Sequence, residues 1–434
     1  MTKRLYYDQS DLLEFDSIVE AVTNPLADVA GEGARPAIIL RESAFYPTSG
    51  GQVHDTGWIT LASGERMRIT EVADAEDGRV VHYLEAPVKP PVGEGSTDSL
   101  ISGASVHGVV DPERRRDHMQ QHTGQHVLSA AFIELYQFST VSFHMGEDYC
   151  SIDLATDALS AAQVAGAEKR ANEIVFENRS VRIRYVRREE AEKLGLRKLP
   201  PTARDELRLI EIADFDLSAC GGTHVGMTGQ IGSILLRKTE KTRQGIRVEF
   251  VCGARAVRVA RRDYATLTEA AALYSAQLGD VPAMIRKSSE ESKALRRQRE
   301  DALEQLAQAM AEAALASGDG QKDASAPRVI LRTFSDHDTT FAKLFAQKVT
   351  RAGVPAIALV GSTVQPAGLV FAQSAGVTAD MGALLKQVLS SVGGRGGGSK
   401  DFAQGGVPAG CDVQQLLRQA ASTIGSCSAK QRTS

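Results

Sequence analysis

From Ala254 to Ser317 the chain carries one glycine, Gly279, and one proline, Pro282, while alanine, leucine, glutamate and arginine dominate. Residues of this kind lose little side-chain freedom in a helix, and almost nothing in the stretch can turn the backbone, so long helices are dictated. Gly279 and Pro282 break it in two, and ALRRQREDALEQLAQAMAEAALA has the amphipathic, coiled-coil-like pattern of a spacer. The rest of the fold must lie on either side of this rod.

Before it, short strand patterns and glycine-rich turns run to about Leu100: PAIILRESAFY, the turn PTSGGQ, HDTGWITLAS and RVVHYLEAP. At DPERRRDHMQQHTGQHVLSAAFIELY, Asp111 is placed to cap and Pro112 to open a helix. Strand patterns VSFHMG and YCSIDLA follow, then a helix through AAQVAGAEKRANEIVFEN, the strand VRIRYV, and further strands in LRLIEIADFDLSA, GSILLRKTEK and IRVEFVCG. After the spacer, strand and helix alternate, and GGRGGGSKDFAQGG reads as a loop following the helix MGALLKQVLSSV. Because that loop follows a helix rather than a strand, it is not a dinucleotide fingerprint. The expected class is α+β, with a β-rich module over 1–110, a metal-bearing α+β domain over 111–254, the helical spacer over 255–317 and a small α/β domain over 328–434.

Five scattered cysteines in 434 residues make no disulfide framework, which leaves metal or free-thiol chemistry. No apolar run of ~18 residues and no apolar leader core occurs, so a cytoplasmic protein is expected. A net charge of −4 gives no global attraction to nucleic acid. RNA contact would therefore fall to local clusters such as Arg114, Arg115 and Arg116, or Arg182, Arg184, Arg187 and Arg188.

His122 and His126, four apart on the expected helix, project from one face and can share a tetrahedral metal. In Cys220-Gly-Gly-Thr-His224 a thiol and an imidazole flank glycines that let the backbone turn both toward one ion. The two half-motifs together point to Zn2+, since one thiolate and three imidazoles suit zinc better than magnesium or calcium. His118 lies a further turn back on the same face, so the choice of ligands is not unique, and coordination that is closed or open to water is equally compatible with the spacing. Thr123 after His122 excludes the His-Glu-x-x-His base of zinc peptidases.

HTGQH, CGGTH, the turn FYPTSGGQ with HDTG, and RQGIRVEFVCG resemble the AlaX-type alanyl-tRNA editing proteins, free-standing relatives of the editing domain of alanyl-tRNA synthetase. The glycine-rich GGRGGGSKDFAQGG is similar to the signature of the C-Ala domain that ends those synthetases, which with the spacer matches the long AlaX class. The resemblance implies an ATP-independent, zinc-dependent hydrolase acting on tRNA(Ala) mischarged with serine or glycine, with no aminoacylation domain ahead of the turn near Phe45. It carries His122, His126, Cys220 and His224 onto the zinc positions, and Thr48, Ser49, Gly50, Gly51 and Gln52 onto the substrate-pocket motif. Gly50 and Gly51 amides would meet the ester carbonyl, and Gln125, beside a ligand, would position water or the tRNA terminus. Thr48 would read the serine hydroxyl, with His144 a weaker pocket candidate. Arg395 and Lys400 in the tail, with Arg114 and Arg115, are the expected tRNA contacts, and a homodimer would form through the spacer or the C-terminal domain. Two rivals stand beside this: a non-catalytic tRNA-binding protein with structural zinc, and an editor of Ser-tRNA(Thr), whose synthetase shares the histidine and cysteine pairing.

Overall fold

The computed structural model describes residues 1–23, 35–86, 100–194, 196, 205–243, 245–317 and 326–430, the last six of these by their backbone only. The chain divides into two compact units, Met1–Glu269 and Ala270–Ser434. The class is α+β, and no described helix is long and apolar enough to cross a membrane.

The β-rich start closes on itself. Strands Glu14–Thr23, Ala37–Leu40, Val80–Leu84, Arg66–Asp74, Gly57–Leu61 and Ser105–Val110 follow one another round a barrel, and the last pairs back onto the first. Alternating side chains decide which face is inside: along Gly57–Leu61 and Val80–Leu84 every second residue is buried. Phe15, Val19, Ile38, Leu40, Phe45, Ile59 and Ile69 fill the interior. Closure leaves no open sheet edge.

Helix α1, Pro112–Tyr136, leaves the barrel as expected, with Asp111 as cap and Pro112 in its first turn. It packs with the helix Ala161–Phe176 around a core shared with a four-stranded antiparallel sheet, Ile234–Thr242, Gly245–Cys252, Cys150–Leu154 and Thr140–Met145. A second antiparallel sheet, Val181–Arg187, Glu206–Ile212 and Asp216–Ala219, ends at the Cys220 loop. Barrel and α1 are tied by a fully buried ion pair. The Arg115 guanidinium donates to Asp55 Oδ2 at 2.5 Å, to the Ser10 carbonyl at 2.7 Å and to the Ala44 carbonyl, while Asp55 Oδ2 also accepts from the Tyr46 amide at 2.7 Å.

This corrects one reading of the arginine cluster. Arg115 has no exposed surface to offer a phosphate; it is a strut whose removal would strand a buried carboxylate.

In the second unit a five-stranded sheet runs in the order Arg328–Phe334, Ala356–Ser362, Gly368–Gln373, Phe402–Gly406, Arg395–Gly398. One face is covered by the helix Thr339–Thr350 and by Ala307, Ala311 and Leu315 at the end of the long helix Val281–Ala316. Helices Met381–Ser390 and Val413–Lys430 cover the other. The segment read as a glycine-rich loop is a β-hairpin, with Gly396 paired to Gly405. Two of its glycines are steric: a Cβ at Gly396 or Gly405 would fall 2.7 or 2.4 Å from Leu389 of the helix above. Arg395 lies exposed on its first strand and Lys400 exposed in its turn.

Candidate metal centre

The four expected ligands converge. The side chains of His122, His126, Cys220 and His224 offer ligand atoms that all lie within 4.8 Å of one another. Cys220 Sγ is 3.4 Å from His122 Nε2 and 3.3 Å from His224 Nε2. Zinc at ~2.3 Å from sulfur and ~2.0 Å from nitrogen in a tetrahedron requires edges of roughly 3.5 Å, so these residues fit the ion. His118, the open alternative, stands apart from this group with Nδ1 3.8 Å from Asp55 Oδ1. Burial, followed by the charges of Arg114, Arg255 and Arg115, pushes it down to about 2.

The hydrogen bonds around the rings fix their tautomers. Gln52 Oε1 accepts from the Thr223 amide at 3.1 Å, so the oxygen of that carboxamide faces His122, and the 2.7 Å contact is a donation from Nδ1–H. The carboxamide nitrogen completes the arrangement by donating to Thr223 Oγ1 at 2.9 Å. The Thr123 hydroxyl donates to the Met119 carbonyl at 2.8 Å and must then accept from His224 Nδ1–H at 3.2 Å. His126 Nδ1–H donates to Asp216 Oδ2 at 3.2 Å. All three rings thus carry their proton on Nδ1 and turn the Nε2 lone pair toward the shared centre, the orientation a metal requires.

Charge agrees with geometry. Burial raises the Cys220 thiol, and positive charge on His122 and His224 would outweigh it and hold the group well below its ordinary value; with those rings neutral, a bound cation would supply that charge. Burial brings His224 down to about 3, against the opposing pull of Cys220, leaving it a neutral donor. Two glycines allow the close approach. Gly222 sits so near the ligand ring that a Cβ there would fall 2.1 Å from His122 Cε1 and 2.8 Å from Gln52 Oε1. Gly51 (φ +87°) packs against Phe143, whose ring stacks on His122 with centroids 5.4 Å apart.

The pocket-motif residues have varied placements. Gly50 and Gly51, both left-handed, form the two-residue turn of a hairpin in which Ser49 and Gln52 exchange backbone bonds. The turn carries Gln52, fully buried, to the ligand ring. Thr48 is exposed, and its hydroxyl is engaged with the His54 amide and ring, each at 3.1 Å. Gln125 is buried and donates to Ser129 Oγ at 2.8 Å. His144 is exposed. Arg114 donates through Nε to the His54 carbonyl at 2.9 Å. Gln52, expected in the pocket motif, serves here as the partner of a ligand ring, and Asp216, which carries no local sequence signal, does the same for His126.

Two family models match: "Threonyl and Alanyl tRNA synthetase second additional domain" over residues 207–248 and "tRNA synthetases class II (A)" over residues 1–114. The chain is 28% identical to the alanyl-tRNA editing protein AlaX-L of Pyrococcus horikoshii, over 94% of this chain and 95% of that protein. It is 31% identical to the alanine–tRNA ligase of Halobacterium salinarum over 98% of this chain, and 34% identical to that of Pyrococcus furiosus over 59%. It spans only 44% and 26% of those two ligases. A solved C-Ala domain of the Aquifex aeolicus alanyl-tRNA synthetase aligns with 23% of this chain at 17% identity and a TM-score of 0.20, too low to bear on fold or function.

Proposed function

We propose, for a chain that is a relative of the AlaX-type alanyl-tRNA editing proteins and of the corresponding part of alanine–tRNA ligases, that it hydrolyses the ester of mischarged tRNA(Ala), chiefly Ser-tRNA(Ala) and also Gly-tRNA(Ala). The observation that carries this is a donor set of three proton-ordered imidazoles and one thiolate, oriented in advance by Gln52, Asp216 and Thr123. Zinc bound there would polarise an ester oxygen or supply a water of pKa near ~7. The protein's own residues do the rest. Gln52 ties the barrel turn to His122, so the proposed carbonyl contacts, the Gly50 and Gly51 amides, stay in register with the metal ligands. Gln125 positions water or the tRNA terminus. No nucleophilic side chain is invoked, so water attacks directly.

In this reading the four-part division at 1–110, 111–254, 255–317 and 328–434 is functional, with barrel and metal-bearing domain building one site and the tail adding affinity. Exposed Arg395 and Lys400, together with Arg114, meet tRNA phosphates. A homodimer through the spacer or tail and a cytoplasmic location belong to the same proposal.

Selectivity tests it. Seryl- and glycyl-tRNA(Ala) should lose their amino acids while alanyl-tRNA(Ala) persists; faster hydrolysis of Ser-tRNA(Thr) would reassign the acceptor. Thr48 would read serine by exchanging its bond to His54 for one to the substrate hydroxyl. Thr48→Val should then reduce the serine-to-alanine rate ratio by roughly ten- to a hundredfold with zinc content unchanged, the worth of ~1–3 kcal/mol for an unpaired hydroxyl. An unchanged ratio would leave Thr48 only the turn to hold.

A further inference from the structure

A tyrosine that the metal set does not use stands at the edge of the ligand loop. Tyr7 closes the short turn Leu5–Tyr7 near the start of the chain. Its ring is held by Tyr6, edge-on at 5.1 Å, and by the guanidinium groups of Arg4 and Arg208, each 5.6 Å from its centroid. Its backbone is held as well. The Tyr7 carbonyl accepts from Arg208 Nε at 2.8 Å, and the same guanidinium donates through Nη1 to the Cys220 carbonyl at 2.6 Å. One arginine therefore fixes the tyrosine to the loop that carries the thiolate.

Two groups in this arrangement are unspent. Among the described residues the Tyr7 hydroxyl has no hydrogen-bond partner, although it stands where a Cβ added to Gly221, the exposed glycine after Cys220, would lie 3.6 Å away. Arg208 is 9% exposed, pairs with no carboxylate among the described residues, and its Nη2 lacks a hydrogen-bond partner. A buried cation without a counter-carboxylate is costly to keep, and positive charge held beside a reactive centre is the arrangement that favours an oxygen becoming negative there. Three neighbours hold the Tyr7 ring, and its hydroxyl is left as the free end.

We infer that the Tyr7 hydroxyl donates a hydrogen bond to the oxygen that becomes negative as the aminoacyl ester is hydrolysed. This rests on the hydrolase reading above. In that step the water oxygen bonds to the ester carbonyl carbon and the carbonyl π pair moves onto its oxygen. When the carbonyl re-forms, the bond from carbon to ribose oxygen breaks and the ribose oxygen takes a proton that came from the water. The products are a free amino acid and a free tRNA 3′ end, and Tyr7 keeps its proton throughout. Because the ring is fixed beforehand, the donor needs no reorganisation when charge develops.

The test is Tyr7→Phe in the full, zinc-loaded chain, which retains the ring and its packing. Hydrolysis of Ser-tRNA(Ala) should show kcat lowered by about 10²-fold, the usual cost of losing one such donor, with KM nearly unchanged. Zinc content and the affinity for uncharged tRNA(Ala) should match the wild type. An unchanged kcat would overturn the assignment. So would a raised KM at constant kcat, which marks a ground-state contact, or loss of zinc, which marks a structural hydroxyl. If the wild type hydrolyses no aminoacyl-tRNA, the hydrolase reading fails and Tyr7 falls with it; an active wild type and an equally active Tyr7→Phe defeat Tyr7 alone.

Discussion

Cys220→Ala should cost the protein its zinc and its deacylation together. A Cys220 thiolate would be the one anionic donor in the set, and without it three neutral rings must hold a divalent cation unaided. Loss of a single supporting hydrogen bond around such a centre weakens metal binding by about 10- to 100-fold, and loss of a ligand should exceed that. Competition against a chromophoric chelator gives the affinity, and serine release from Ser-tRNA(Ala) gives the activity. Full activity in stably metal-free Cys220→Ala would detach the chemistry from the metal.

Gly222→Ala should be nearly as damaging, for a reason of space rather than charge. The new methyl would stand 2.1 Å from His122 Cε1 and 2.3 Å from its Nδ1, inside the ring's van der Waals radius, and would press on Gln52 Oε1 as well. Either the ring tilts away from the shared centre or the Gln52 bond breaks, and zinc affinity should fall by about 10- to 100-fold. The neighbouring glycine is the control. At Gly221 a methyl meets only Tyr7, its hydroxyl oxygen at 3.6 Å and its ring Cε1 at 3.8 Å, both ordinary contacts, so Gly221→Ala should bind zinc as the wild type does. Equal affinity in both variants would show that His122 does not need its observed position.

What the sequence disclosed followed from short-range spacing. His122 and His126 are one turn apart on one helix and Cys220 and His224 flank one tight turn, so each pair announces itself locally. The groups that orient them do not, with one exception. Gln52 reaches His122 across 70 residues and Asp216 reaches His126 across 90, and no local pattern encodes either pairing, whereas Thr123 stands inside the ligand motif itself. Arg115 shows the same limit from the other side. In sequence it belongs to a basic triplet, but Asp55, 60 residues earlier, draws it into the interior. Barrel closure was hidden because it depends on register between Ser105–Val110 and two strands distant in sequence. The glycine-rich hairpin at Arg395–Gly406 was hidden because glycine has little strand preference, and the exclusion of side chains at Gly396 and Gly405 comes from Leu389 of the helix above, which no local pattern announces.

The proposed hydrolysis requires this centre to be catalytic and not merely a support for the fold. Its most direct measurement is release of serine from Ser-tRNA(Ala) by the purified full chain, with bound zinc determined on the same preparation. Titration of metal into stripped, folded protein should restore serine release in proportion to zinc bound, without ATP, while alanyl-tRNA(Ala) stays charged. A fully zinc-loaded protein that binds tRNA(Ala) yet releases serine no faster than buffer would contradict it, and would leave a tRNA-binding protein whose zinc is structural.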